Sequence, residues 1–218
     1  MVNQATGNAN APEPAIRRSH DLSPRDWLEA GQSLLRRGGL RALKLRPLAG
    51  ELRVSTGSFY HHFGDFDDYQ GRLAEYFAGA QIAELIDAIG RAEANPIGRI
   101  RLLAQVVRRR GMSRLSIAMR AWAESDSRAR DAVQRHDGQV IGFLVECLQA
   151  NGFDRHDAMV RSYALMTLGL SKVHAPELDR ATLMEEMIAL LCYPGDRMTT
   201  GMVAEERACG PGATITSS

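Results

Sequence analysis

The sequence predicts an all-α chain: an N-terminal three-helix helix-turn-helix domain followed by a C-terminal helical domain. Three observations carry this. Apolar residues recur at three- and four-residue spacing through most of the 218 residues, and no stretch reads as a credible strand. The stretch Leu48–Phe63 reads as two short helices joined by a tight turn. The last two periodic segments are apolar around most of their circumference, as helices buried on several sides are. The expected organisation is a disordered arm over 1–20, a helix-turn-helix domain over 21–66, a second helical domain over 67–193, and a disordered tail over 194–218.

The arm contains Pro12 and Pro14 and few apolar anchors. Two readings of Arg17 and Arg18 at its end are open, phosphate contact or simple solvation. Ser23-Pro24 starts the first helix, with serine as N-cap, proline at the first helical position and Asp26 at the positive end of the dipole. Trp27, Leu28, Ala30, Gly31, Leu34 and Leu35 form its buried stripe, and Gly38-Gly39 stops it. Pro47 belongs in the first turn of the second helix, where a missing N–H costs little. Lys44 is a poor N-cap, so Lys44 and Arg46 read as phosphate-facing charge.

Leu48, Ala49 and Leu52 share one face of that second helix, and Arg53-Val54 makes the turn. Ser55 is the expected N-cap of a third helix, its hydroxyl accepting from the next turn. Phe59 and Phe63 lie four apart and point to the core. Thr56, Gly57, Ser58, Tyr60, His61 and His62 are left on the other faces. They are small, hydroxylated or imidazole, and none is acidic, so this helix suits a DNA major groove.

Asp65 caps a predicted long helix through Leu73, Phe77, Ile82, Leu85 and Ile89, ended by Gly90–Pro96. Ile97, Ile100, Leu103 and Val107 mark the next helix. The run Arg108-Arg109-Arg110-Gly111 reads as ordinary chemistry of a helix C-terminus. Ser113–Glu124 is a short helix. Asp126 or Ser127 caps a long one ending at Asn151-Gly152, and Asp154 caps a helix over Ala158–Val173. The final helix covers about Asp179 to Cys192. These two greasy C-terminal helices suit a four-helix bundle with those of a second copy.

Charge is unevenly shared. Residues 1–64 hold nine Lys+Arg against five Asp+Glu, a net +4, while residues 65–218 hold 18 against 21, a net −3. A basic front on a mildly acidic body fits nucleic-acid binding by the first domain. No apolar run approaches the ~20 residues of a membrane span, and the N-terminus lacks the basic start and apolar middle of a signal peptide. The expected location is the cytoplasm. Cys147, Cys192 and Cys209 are scattered, without a metal-ligand or disulfide pattern. No metal or cofactor is expected. His61-His62 and His136-Asp137 are adjacent and so do not share a helix face, His156-Asp157 and His174 lie alone among helices, and no phosphate loop or nucleophile elbow is present, so no enzymatic activity is expected.

The residues from about Leu22 to Tyr76 resemble the DNA-binding domain of TetR-family (tetracycline-repressor) transcriptional regulators. Ala30, Gly38-Gly39-Leu40, Leu48-Ala49-Gly50-Glu51-Leu52 and Val54-Ser55-Thr56-Gly57-Ser58-Phe59-Tyr60-His61-His62-Phe63 carry the resemblance. Arg120-Ala121-Trp122-Ala123 and Asn151-Gly152-Phe153 add a weaker one. The resemblance implies a homodimer that joins through the two C-terminal helices and binds a near-palindromic double-stranded operator. A small molecule in the larger domain would change the spacing of the two heads. It also implies that Thr56 and Ser58 approach bases or phosphates, that Tyr60 and His62 contact the backbone, that His61 projects toward DNA, and that Gly57 allows close approach. With Ser55, Lys44 and Arg46 these make the expected DNA-binding set. Two positions depart from the family pattern: Arg53 stands where glycine is usual, and Phe66 where a phosphate-binding lysine is common.

Met119, Trp122, Phe143, Tyr163 and Met166 are candidates to line an effector pocket, with plain core as the competing reading. Such a pocket would be apolar, so the expected effector is hydrophobic or aromatic. The expected function is a ligand-responsive repressor. The alternative is a dimeric helical scaffold with a vestigial DNA-binding head and no effector.

Overall fold

A computed structural model describes residues 22–171 and 179–193. The arm over 1–20, the tail over 194–218, Arg17, Arg18, Val173 and Cys209 lie outside the described residues. Among those residues every regular element is helical: α1 Pro24–Gly38, α2 Leu45–Leu52, α3 Phe66–Ala78, α4 Ala80–Ala92, α5 Pro96–Arg109, α6 Met112–Ala123, α7 Ser127–Ala150, α8 Arg155–Leu170 and α9 Arg180–Cys192. Short 3₁₀ turns at Leu40–Ala42 and Thr56–His61 flank α2. The chain divides into two compact units, Met1–Ile89 with Gln105–Val140, and Gly90–Ala104 with Ile141–Ser218. The first unit is therefore more than a helix-turn-helix, for it also takes in α6 and the start of α7.

Local chemistry starts α1 as expected. Ser23 and Asp26 form a reciprocal capping box, Asp26 returning to the Ser23 N–H at 2.8 Å, and Pro24 occupies the first turn. All six residues of the predicted stripe are buried. They face α2, α3 and α6. The centre is aromatic: Phe59 lies 5.5 Å from Trp27, 5.0 Å from Phe63 and 5.4 Å from Tyr69, mostly edge to face. Such pairs add about 0.5–1.5 kcal/mol each beyond area burial. Buried Tyr69 donates from Oη to the Trp27 carbonyl at 3.0 Å and ties α3 to α1. Burial pushes its phenol well above the usual range.

The predicted long helix after Asp65 is instead two. Asp65 does cap it, accepting from the Asp68 N–H at 2.8 Å, but α3 ends at Ala78. Gly79 adopts φ −82°, ψ −154°, which takes the chain out of the helix, and α4 begins one residue later. Side chains of α7 lie along α3 in a ladder. Arg128 grips both Asp67 carboxylate oxygens at 2.9 Å, Arg135 holds both oxygens of Glu75 at 2.8 Å, and Gln139 donates to the Ala78 carbonyl at 3.2 Å.

In the second unit α8 packs on α9. Asp154 caps the N-terminus of α8 as expected, and Asp179 caps that of α9. Both C-termini are capped by side chains. Arg180 donates to the Gly169 carbonyl at 2.6 Å and to Ser171. Arg161 donates to the Leu191 carbonyl at 2.9 Å while lying over the Phe153 ring, and Asn151 donates to the Cys192 carbonyl at 2.7 Å. These bonds satisfy carbonyls that a helix end leaves without partners. Burial raises the Cys147 and Cys192 thiols to about 11. Helix α8 buries Ala158, Ser162 and Leu165, whereas Val160 and Tyr163 stay exposed, as do Leu190 on α9 and Tyr193 just beyond it.

Candidate nucleic-acid interface

The head is built on the end of α2. The Arg53 N–H reaches the Gly50 carbonyl at 3.2 Å and the Val54 N–H the Ala49 carbonyl at 3.0 Å. This paired closure is the Schellman motif, and it demands a left-handed residue between helix and exit. Arg53 is that residue, at φ 57°, ψ 42°, and no other described non-glycine residue has positive φ.

The segment after the turn is a 3₁₀ helix, Thr56–His61, rather than an α-helix. The Ser58 N–H bonds to the Ser55 carbonyl at 3.1 Å, and the His62 N–H to the Phe59 carbonyl at 3.0 Å. The backbone carbonyl of Ser55 thus serves the first turn, and its hydroxyl makes no capping bond, contrary to expectation. Phe59 and Phe63 are buried beneath the segment, as their spacing required. Phe66 joins them, 6.1 Å from Phe59 and 5.5 Å from Tyr69, so the place of the family's lysine is taken by a core contact.

Of the expected DNA-binding residues, Lys44, Arg46, Ser55, Thr56, Gly57, Tyr60 and His61 are exposed. Tyr60, 58% exposed, stands edge-on to Phe59 at 5.4 Å, which holds the ring outward. His62 is half-buried against Trp27, with 6.3 Å between ring centroids. Ser58 departs from expectation: at 2% exposure it lies inside the head and does not offer its hydroxyl to a groove. In a segment this short the row shared with Phe59 and Phe63 is wide enough to take in its neighbour.

Electrostatics favour a polyanion. Between residues 30 and 64 Glu51 is the only carboxylate. Arg37 pairs with it and holds it below the usual carboxylate range, with a further hydrogen bond from Ser33. Among the described residues Lys44, Arg46 and Arg53 form no ion pair, so their charge is free to act outward.

No protein-family model and no curated protein matches the sequence. Solved structures do. A transcriptional regulator from Rhodococcus sp. Rha1 superposes with a TM-score of 0.62 at 16% identity, covering 78% of this chain and 96% of that one. A TetR transcriptional regulator from Legionella pneumophila gives 0.61 at 14% identity, over 68% and 84% of the two chains. This chain has the TetR-regulator fold. AibR, solved with isovaleryl coenzyme A and operator DNA, shares that fold at a TM-score of 0.56 and 18% identity, over 79% and 99%.

Within this TetR fold the five candidate pocket residues are divided between the units. Met119 and Trp122, on α6, are fully buried in the same apolar cluster as Trp27 and Phe59. Phe143 is buried in the second unit, Met166 is half-buried there, and Tyr163 is 61% exposed. A surface groove in the first unit, among Leu28, Asp67, Asp68, Arg72, Tyr76 and Arg128, contains none of the five. Sequence reading missed the α3–α7 ladder that walls this groove. Its one visible trace is the seven-residue interval between Arg128 and Arg135. No group of three or more His, Cys, Asp or Glu among the described residues is placed to hold a metal ion. No described helix is long and apolar enough to cross a membrane.

Proposed function

We propose that this chain is a ligand-responsive transcriptional repressor of the TetR type, acting in the cytoplasm. Two copies would bind a near-palindromic operator, each placing Thr56–His61 in a major groove. The observation that carries this is the surface of the head: an acid-free 3₁₀ turn with Tyr60 and His61 outward, packed on α2, whose start carries Lys44 and Arg46 without ion-pair partners among the described residues. In this reading Lys44, Arg46 and Tyr60 position the phosphate backbone, and Thr56, Gly57 and His61 meet the groove floor. His62 sits at the rim, and Ser58 supports the turn from within.

The solvent-facing Val160, Tyr163, Leu190 and Tyr193 support association through α8 and α9, because isolated helices rarely keep such side chains in water. The effector would be a small molecule with an apolar body. AibR is a TetR fold that holds an acyl thioester of coenzyme A, which makes acyl thioesters a reasonable first class to screen. Of the five candidates, Phe143 and Met166, both in the second unit and not on its exposed face, are the ones retained as contacts.

The test is selection of binding sites from a random duplex pool with the purified full chain, followed by titration of the selected duplex. Enrichment of an inverted repeat with ~10⁻⁸ M or tighter affinity is expected. Tyr60→Ala is expected to weaken binding to every sequence alike. Failure to enrich any sequence, or equal binding by the variant, would overturn the docking.

A further inference from the structure

Two sets of arginines in the first unit differ in their partners. Along the α3–α7 ladder Arg72 is matched by Asp68, Arg120 by Asp137, Arg128 by Asp67 and Asp126, and Arg135 by Glu75. Those at the corner between α5 and α6 are not. Arg108, Arg109, Arg110 and Arg114 are all exposed, and among the described residues they have no ion pair, the only side-chain partner being Gln105 for Arg109. The sequence supplies no acid there: from Ala94 to Ala123 there is no Asp or Glu, against seven arginines.

The place of this corner follows from packing. Helix α6 lies along α1 and also touches the Leu40–Ala42 turn that follows the end of α1. Arg128, just beyond the C-terminus of α6, lines one groove with Leu28, in the first half of α1. The two helices are therefore antiparallel, and the start of α6 lies at the far end of α1. The first turn of α6, with Arg114, therefore lies toward the end of α1 that carries Arg36 and toward the turn that carries Arg41, and these two are also without ion pairs among the described residues. A helix C-terminus accounts for Arg108 and Arg109 in the last turn of α5. It does not account for Arg114, on the next helix, or for the missing acids.

We infer that the α5–α6 corner is a second phosphate-binding surface, which engages duplex DNA backbone outside the segment met by the helix-turn-helix. The partner is a double-stranded polyanion recognised by charge and not by base. The surface lengthens the footprint of each head and adds to affinity without adding to sequence preference. The inference rests on the DNA-binding reading above.

The experiment uses the full chain and a fluorescein-labelled 40-base-pair duplex of random sequence, titrated by anisotropy between 50 and 300 mM potassium chloride. Three variants are compared with the parent: R108Q/R109Q/R110Q/R114Q, the same four positions changed to lysine, and K44Q/Y60A in the head. The glutamine variant is expected to bind at least ~10-fold more weakly at 50 mM salt and to reduce the slope of log K against log salt by about 2 or more. The lysine variant is expected to keep the parental slope. An unchanged slope in the glutamine variant, with a reduced one in the head variant, overturns this inference and leaves the DNA-binding reading standing. Equal losses in the glutamine and lysine variants overturn it in favour of a structural role. Salt-independent or absent binding by the parent overturns the DNA-binding reading itself.

Discussion

The Tyr69 hydroxyl occupies the space where a side chain at Gly31 would stand: a Cβ built on Gly31 meets Tyr69 Oη at 1.9 Å. The glycine is thus required by contact between α1 and α3, and not by backbone conformation. Gly31→Ala is expected to displace the tyrosine from the Trp27 carbonyl and to destabilise by about 1–3 kcal/mol, the usual range for overpacking. In a Tyr69→Phe background the same change should cost about 1 kcal/mol less, since the opposing oxygen is gone. Urea denaturation of the two single variants and the double variant measures this. Additive losses would show that the two residues do not collide.

Arg53 leads to the opposite sign. A non-glycine residue in the left-handed region costs roughly 1 kcal/mol. Arg53→Gly removes that strain and adds some unfolded-state entropy, so a net stabilisation of about 0.5 kcal/mol is expected. The gain corresponds to about 1–2 °C in Tm for a chain of this size. Thermal unfolding followed by circular dichroism is sufficient, and a lower Tm would contradict the reading of the turn.

Association should depend on the exposed faces of α8 and α9. Tyr163→Glu combined with Leu190→Glu places charge on both. Sedimentation velocity is expected to show dimers of the parent chain and monomers of the double variant at micromolar concentration. A dimeric double variant would move the interface elsewhere.

Acid sensitivity has a named contributor. Arg128 holds the Asp126 carboxyl below its ordinary value of 3.8, helped by the Arg128 and Ala129 N–H groups. A carboxyl depressed on folding stabilises above its unfolded pKa, and that stabilisation is lost as pH falls through the folded value. Asp126→Asn should therefore reduce stability at pH 7 and flatten its decline below about pH 4. An unchanged acid limb would remove Asp126 from the account.

Thiols provide an alkaline counterpart. Cys147 and Cys192 keep their protons to about 11 when folded, against 9.0 unexposed to burial. The folded state binds more protons than the unfolded one between these values, so stability should fall as pH rises through that window. At pH 8 both thiols should resist iodoacetamide in a Cys209→Ser background and react on denaturation, as mass spectrometry would show. Rapid double alkylation of the folded chain would contradict their burial.

Much of the head was legible because its signals are local. Ser23-Pro24-Arg25-Asp26 specifies its cap within four residues, and the aromatic positions Phe59 and Phe63 are read from spacing alone. Three features were not legible for physical reasons. A six-residue segment satisfies the same apolar spacing as 3₁₀ or α, so Thr56–His61 gave no sign of its type. Gly79 stands in a helical pattern that glycine alone does not usually end. The bonds from Arg128 to Asp67 and Arg135 to Glu75 join residues about 60 positions apart, a separation that local patterning does not encode. The pocket reading leaned on residue type, and type alone does not tell a buried Met119 from a ligand-facing one.

On the proposed docking, the tightness of the Thr56–His61 turn would limit how much sequence it can specify. A 3₁₀ helix rises about 2.0 Å per residue, so Thr56–His61 extends about 12 Å, the height of three or four base pairs. Two of its six residues, Ser58 and Phe59, face inward. If about three pairs per half-site are fixed, two half-sites carry roughly 12 bits of information, whereas one address among ~10⁶ sites needs about 20. The missing bits would have to be written in the shape and stiffness of bases that no side chain touches.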